Sequence, residues 1–303
     1  MAEVGRSGSA ASTGKDAGPS GVQSQGRGHR RRGRRENWGR SLGLAVVTGA
    51  VLLAIVAVFY LLGTAAFFAL ICLVVLVALF EALDALVVSG RRPAVALGLV
   101  GGFGLLLAAY SRSAGAVMLS VGATTYLVLA WSLRPGRART AASDAAWTLS
   151  TVLWIAGGGA AAVGVMLLGR EGLALLVSFL LVAALDDVLA YFAGTIFGRH
   201  KLAPSISPGK SWEGLAAGFA FACAGGALAG LVVPPLTPLT GLGLGAVVGF
   251  AAPVGDLVES LFKRELGIKD SGRLLPGHGG VLDRVDAIVF SAPAAFLYLH
   301  FIL

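Results

Sequence analysis

The densest acidic stretch of this chain runs Gly255-Asp256-Leu257-Val258-Glu259-Ser260-Leu261-Phe262-Lys263-Arg264, continues through Lys269-Asp270, and ends Pro276-Gly277-His278-Gly279-Gly280-Val281-Leu282-Asp283-Arg284-Val285-Asp286. Asp256, Glu259, Ser260 and Lys263 stand at i, i+3, i+4 and i+7, so a helix carrying them shows all four on one face and leaves Leu257, Val258 and Leu261 to the other. Asp283 and Asp286 share a face of a second helix, just after a Gly-Gly pair that lets the backbone turn sharply. Carboxylates gathered from two helix ends beside Lys and Arg suit a divalent cation and a polyphosphate together. Hard oxygens hold Mg²⁺, and the cationic side chains neutralise the remaining phosphate oxygens. The same pattern also describes surface ion pairs on a solvated loop, each contributing little. Position favours chemistry: carboxylates at or near the ends of apolar runs are costly there without a cation or partner.

The elements that must position these groups are membrane helices. Of 303 residues, 56% are hydrophobic and 13% charged, which excludes a water-soluble globule as well as disordered, collagen-like and disulfide-scaffold classes. Apolar runs predict spanning helices at 42–62, 64–80, 94–110, 114–133, 148–169, 172–192, 214–233, 239–255 and 287–303, making an all-α integral membrane protein of about nine spans. The first two are divided only by Gly63 and Thr64. With the N-terminus inside, 22 of the 24 Lys and Arg residues fall on the cytoplasmic side and only Arg112 and Arg170 opposite. The positive-inside rule therefore predicts a cytoplasmic N-terminus and an outside C-terminus.

Residues 1–41 hold nine of those basic residues, are rich in Gly and Ser, and lack aliphatic periodicity. They read as a disordered basic cytoplasmic tail facing anionic lipid rather than nucleic acid, ahead of a polytopic domain over 42–303. The first apolar run flows straight into a second, which argues against a cleavable signal peptide. Cys72 and Cys223 lie inside apolar runs and read as small buried hydrophobes. Glycines recur every fourth residue at Gly98 and Gly102, Gly226 and Gly230, and Gly241, Gly245 and Gly249, predicting close helix packing. Gly157-Gly158-Gly159 marks either a packing face or an unwound stretch.

The run from Ser260-x-Phe262-Lys263-Arg264 through Lys269-Asp270 to Leu275-Pro276-x-His278-Gly279-Gly280-Val281-x-Asp283-Arg284-Val285-Asp286 resembles the signature of the phosphatidate cytidylyltransferases, the CDP-diacylglycerol synthases, and spans 27 residues. A second stretch, Asp187-Val188-Leu189-Ala190-Tyr191-Phe192-Ala193-Gly194 and onward through Ile206-Ser207-Pro208-Gly209-Lys210-Ser211-Trp212-Glu213-Gly214, is similar to that family's segment between helices 6 and 7. It departs where the family has Ser or Thr and then Gly after the aspartate. Val188 and Leu189 stand there, with an extra acid at Asp186, so either aspartate could act. The likeness covers about residues 40 to 303.

The resemblance implies that a phosphatidate oxygen attacks the α-phosphorus of CTP, releasing pyrophosphate and forming CDP-diacylglycerol. The placement of the acidic residues puts the active site at the cytoplasmic ends of helices 6, 8 and 9, the resemblance implies a homodimer, and the Pro, Ala, Gly and Arg richness suggests a bacterial plasma membrane. Asp256 and Asp283 are then the main Mg²⁺ ligands, with Asp286 or Asp187 completing the shell and room for a second cation. Lys263, Arg264, Lys269 and Arg284 contact the triphosphate. Ser207, Lys210, Ser211, Ser260 and His278 serve nucleotide or lipid phosphate. No general base is required, because the phosphatidate oxygen is already ionised at neutral pH.

Other readings of these residues are weaker. Gly209-Lys210-Ser211 imitates the end of a Walker A loop, but position 204, where its first glycine belongs, is Pro. No Cys cluster or HExxH run supports zinc. Glu81 and Asp84 read as markers of a membrane boundary. A transporter binding coupling ions would place acids near mid-helix, whereas these stand near the ends. The Asp-Gly-x-x-Ala-Arg pattern of CDP-alcohol phosphatidyltransferases does not occur. A cytidylyltransferase for another lipid phosphate fits the same residues.

Overall fold

The computed structural model describes residues 49–135, 139–268, 272 and 280–303. The basic tail expected over 1–41 lies outside the described residues, as do Lys269 and His278. Two units are distinguished, residues 1–54 and 55–303; the fold described below is that of the second.

The described helices are α1 (Gly49–Leu62), α2 (Thr64–Val88), α3 (Val95–Tyr110), α4 (Ala114–Ser132), α5 (Ala141–Met166), α6 (Gly172–Phe197), α7 (Trp212–Val232), α8 (Pro238–Glu265) and α9 (Leu282–Ile302). Each coincides with one of the runs that hydropathy predicts. Seven are long and apolar enough to cross a membrane, while α1 and α3 are shorter. The turn between α1 and α2 rests on Gly63, whose φ of 90° is open to glycine and strained for other residues.

Two differences from the hydropathy reading matter. Several helices outrun their apolar cores: α2 continues to Val88, α6 to Phe197 and α8 to Glu265, while α5 begins at Ala141 and α9 at Leu282. Hydropathy stops where charge begins, but the i to i−4 ladder continues as long as side chains find partners. The chain is also not wholly α. The segment read as a polar loop between helices 6 and 7 forms an antiparallel ribbon of β1 (Lys201–Ala203) and β2 (Ser207–Ser211), with Lys201 opposite Ser211 and Ala203 opposite Ser207.

The core is aliphatic, with Leu79 and Leu83 of α2, Ile155 of α5, Leu175 of α6, Leu244 of α8 and Leu299 of α9 fully buried. Close packing follows the glycine spacing. A Cβ at Gly226 of α7 would overlap the carbonyl oxygen of Gly241 on α8, and one at Gly245 would overlap that of Ala222. The Gly157–Gly159 stretch remains helical, and Gly158 presses on the backbone of Val289 in α9, so it is a packing face. Cys72 and Cys223 are free thiols.

The ends of the helices that bear charge are tied together. Asp144 Oδ1 and Thr148 Oγ1 of α5 accept the backbone N–H groups of Arg92 and Ala94 just before α3, at 3.1 Å each. Arg91 pairs with Glu265 at the end of α8 (3.3 Å) and lies 4.6 Å over the ring of Trp147. Phe262 of α8 packs edge-on against Trp147 and Trp154 of α5. The α2–α3 turn, the start of α5 and the end of α8 thus meet at one end of the bundle.

Candidate active site

Three carboxylates converge there. Asp256 and Glu259 stand one turn apart near the end of α8, Asp286 belongs to the second turn of α9, and their oxygens lie within 4.8 Å of one another. Glu259 and Asp286 are buried, at 2% and 6% exposure, and Asp256 is half-buried. The antiparallel contact of α8 with α9 makes this meeting possible, helped by Gly255, where a Cβ would crowd Phe290 to 2.5 Å.

Two lysines meet the carboxylates. Lys263 Nζ, one turn beyond Glu259, lies 2.6 Å from Glu259 Oε2 and 2.9 Å from Asp283 Oδ1. Lys210, delivered by β2, donates to Asp256 Oδ2 at 2.7 Å and to the carbonyl of Pro253 at 3.2 Å. The backbone N–H of Gly280 also donates to Asp283, at 2.7 Å. Among the described residues, the carboxylates of Asp256, Glu259, Asp283 and Asp286 outnumber the ammonium groups of Lys210 and Lys263. Asp187 and Arg284, within electrostatic reach, offset one another. Three carboxylates gathered this closely, two of them buried, offer the hard oxygen set that Mg²⁺ takes.

The predicted residues are placed as follows. Asp256 and Asp286 belong to the cluster, Glu259 supplies the third carboxylate, and Asp283 adjoins it, in contact with Glu259 as well as with Lys263 and Gly280. Asp187 is exposed beyond the cluster but feels the charges of Asp256, Lys210 and Arg284, while Asp186 is buried at 2% exposure within reach of Asp187 and Lys210. Ser211 accepts the N–H of Gly214 as the N-cap of α7, so its oxygen has a local role. Ser207 opens β2 opposite Ala203. Arg264 is exposed and donates to the carbonyl of Ile206 at 3.4 Å, tying the ribbon tip to α8. Ser260 is half-buried next to Glu259, and Arg284 is exposed in the first turn of α9.

The ribbon is held at its base by Glu213. Its carboxylate accepts the N–H groups of Arg199 (3.1 Å) and His200 (3.2 Å) and lies 2.6 Å from His200 Nδ1. This anchoring sets where Lys210 arrives, and the expectation for Lys210 held no hint of it. Glu259 was visible on the charged face of the predicted helix, but spacing alone did not rank it above Asp283.

The Cytidylyltransferase family model matches residues 44–302. A Mycobacterium leprae phosphatidate cytidylyltransferase is 34% identical over 222 residues, covering 68% of this chain and 70% of that one. A Brucella abortus phosphatidate cytidylyltransferase is 53% identical over 117 residues, 37% of this chain and 41% of the relative. The Escherichia coli protein YnbB, described as uncharacterized, is 42% identical over 132 residues, 43% of this chain and 44% of its own length. The match to YnbB, like that to the Mycobacterium bovis phosphatidate cytidylyltransferase (37% of that chain), thus spans less than half of the relative.

Proposed function

The chain belongs to the cytidylyltransferase family, and from that premise we propose that it transfers the cytidylyl group of CTP to phosphatidate, giving CDP-diacylglycerol and pyrophosphate. The observation that carries this reading is the convergence of Asp256, Glu259 and Asp286 within 4.8 Å, flanked by Lys210 and Lys263. The names of the mycobacterial and Brucella relatives support the substrates.

In this reading Asp256, Glu259 and Asp286 hold Mg²⁺, which supplies positive charge to the triphosphate when bound. The physical obstacle is repulsion between a lipid phosphate and a triphosphate. The protein lowers it by placing cationic side chains at one helix-bundle end, where low dielectric strengthens each interaction. Lys210 and Lys263 are held by carboxylates in positions from which their ammonium groups can also contact phosphate. The phosphatidate oxygen forms the new bond to the α-phosphorus as the bond to the bridging oxygen breaks, and pyrophosphate leaves with that electron pair. Orientation of two ionised groups, not proton abstraction, is the task left to the side chains.

Orientation in the membrane follows the charge asymmetry. The basic loops favour a cytoplasmic site and N-terminus in a bacterial plasma membrane, so that CTP enters from the cytosol and phosphatidate laterally. The homodimer belongs to this reading on family likeness alone.

The test is incubation of detergent-purified protein with phosphatidate, radiolabelled CTP and Mg²⁺. Label enters the lipid fraction, disappears with a chelator, and is lost in Asp256→Asn. CTP binding without labelled lipid from phosphatidate, but with label entering another lipid phosphate, overturns the substrate assignment. Absence of CTP binding by folded protein overturns the reaction.

A further inference from the structure

Glu81 stands in α2, far in sequence from the acidic cluster, and sequence position made it a boundary marker. The structure buries it to 3% exposure among Ala78, Ala82 and Ala85. Its Oε2 accepts the N–H of Leu282 at 2.9 Å, and the N–H of Val281 also donates to this carboxylate. These amides open α9, whose own N-cap residue, Val281, offers no side-chain cap. A helix start has N–H groups without intrahelical acceptors and carries partial positive charge, so a carboxylate from α2 supplies what the local sequence lacks.

Glu81 also reaches the segment before α9. A Cβ at Gly280 would come within 2.6 Å of Oε2, and one at Gly272 would overlap Oε1. Oε1 is buried and has no hydrogen-bond partner among the described residues. The carboxylate thus lies against Gly272 and Gly280, where a larger residue would meet it. Asp283 and Asp286 follow within one and two turns, so the seating of the first turn of α9 on Glu81 determines whether Asp286 meets Asp256 and Glu259 and whether Asp283 meets Lys263.

We infer that Glu81 is a positioning residue for the reaction, acting through the start of α9 to seat Asp283 and Asp286; this rests on the cytidylyl-transfer reading of that site. Carboxylates one step removed from a metal commonly tune its affinity in this way.

The experiment compares Glu81→Leu, similar in volume but unable to accept, with Glu81→Gln, whose amide oxygen still accepts both N–H groups. With full-length protein in detergent, Glu81→Leu lowers turnover and raises the Mg²⁺ needed for half-maximal rate by roughly 10- to 100-fold, with KM for phosphatidate unchanged. Glu81→Gln stays near the parent, and backbone amide exchange over residues 280–286 is faster in the Leu variant alone. A Leu variant with parental turnover and Mg²⁺ requirement overturns the proposal, as does a Gln variant impaired as far as Leu. Should Glu81→Leu fail to accumulate, Gly280→Ala carries the test. Its methyl crowds Oε2, the oxygen that accepts the Leu282 N–H, and an unchanged Mg²⁺ requirement overturns the proposal. If the parent labels no lipid, the cytidylyl reading fails by itself, and the exchange comparison still decides whether Glu81 anchors α9.

Discussion

Lys210 crosses from the β1–β2 ribbon to α8 and sets its ammonium 2.7 Å from Asp256 Oδ2, joining the two segments that carry the family likeness. Both groups are partly shielded, with side-chain exposures of 21% and 33%. Lys210→Met removes the ammonium group 2.7 Å from Asp256 and, in the proposed reading, a cation from the phosphate path. The expected result is a loss of roughly 100- to 1000-fold in turnover, the range seen when one preorganised charge-stabilising donor is lost. Steady-state kinetics with labelled CTP check it, and a parental rate removes Lys210 from the site.

In the proposed reading Glu259 takes the metal-binding place that the family resemblance gave Asp283, and the two carboxylates touch. Glu259→Gln should raise the Mg²⁺ requirement by more than the roughly 10- to 100-fold typical of groups one step removed from a metal. Asp283→Asn should depress turnover by loosening Lys263 while leaving the Mg²⁺ requirement nearer the parent. Metal titrations of both variants decide, and the reverse ranking returns Asp283 to the coordination shell.

Gly245 is in backbone contact with Ala222 and Cys223 across the α7–α8 interface. Gly245→Leu has no space to occupy, and overpacking typically costs about 1–3 kcal/mol or more. The expected outcome is a lower melting temperature and aggregation on size exclusion. Gly122, with nothing within 4 Å of its would-be Cβ, should tolerate Ala in the same assay.

Arg91 has three partners, Glu265, the ring of Trp147 and the hydroxyl of Ser89, to which it donates at 3.1 Å, whereas Glu265 is 60% exposed. Removing Glu265 should cost at most about 1 kcal/mol, the upper end for surface pairs. Arg91→Ala loses the pair and a cation–π contact of about 0.5–1 kcal/mol together, so it should melt lower than Glu265→Ala. Equal melting of the two variants shows that neither the stacking nor the hydrogen bond to Ser89 contributes.

Much of this molecule was legible in the chain. Apolar runs near or above bilayer length announce helices because a backbone in hydrocarbon must satisfy its own hydrogen bonds, which leaves the helix as the local solution. The face shared by Asp256, Glu259 and Lys263 follows from 3.6 residues per turn, and the family likeness from the residues themselves. Helix ends were less legible. Charged residues such as Glu265 look like exits from the membrane, yet the helix runs on to reach them. The ribbon that delivers Lys210 was invisible because Lys201–Ala203 and Ser207–Ser211 are too short and polar to show alternation, and are held by Glu213 and Arg264.

Sequence alone determined the membrane class, the order of the helices and the group of charged residues that the proposed site draws on, because periodicity and hydropathy are local properties. Only the tertiary structure brought Glu259 within 4.8 Å of Asp256 and Asp286, with Asp283 beside it, and placed Glu81 at the start of α9 across 201 positions of chain. Those choices depend on how α2, α8 and α9 rotate against one another. That rotation is set by packing between helices, at glycine contacts and buried aliphatic faces, and no spacing within one segment encodes it.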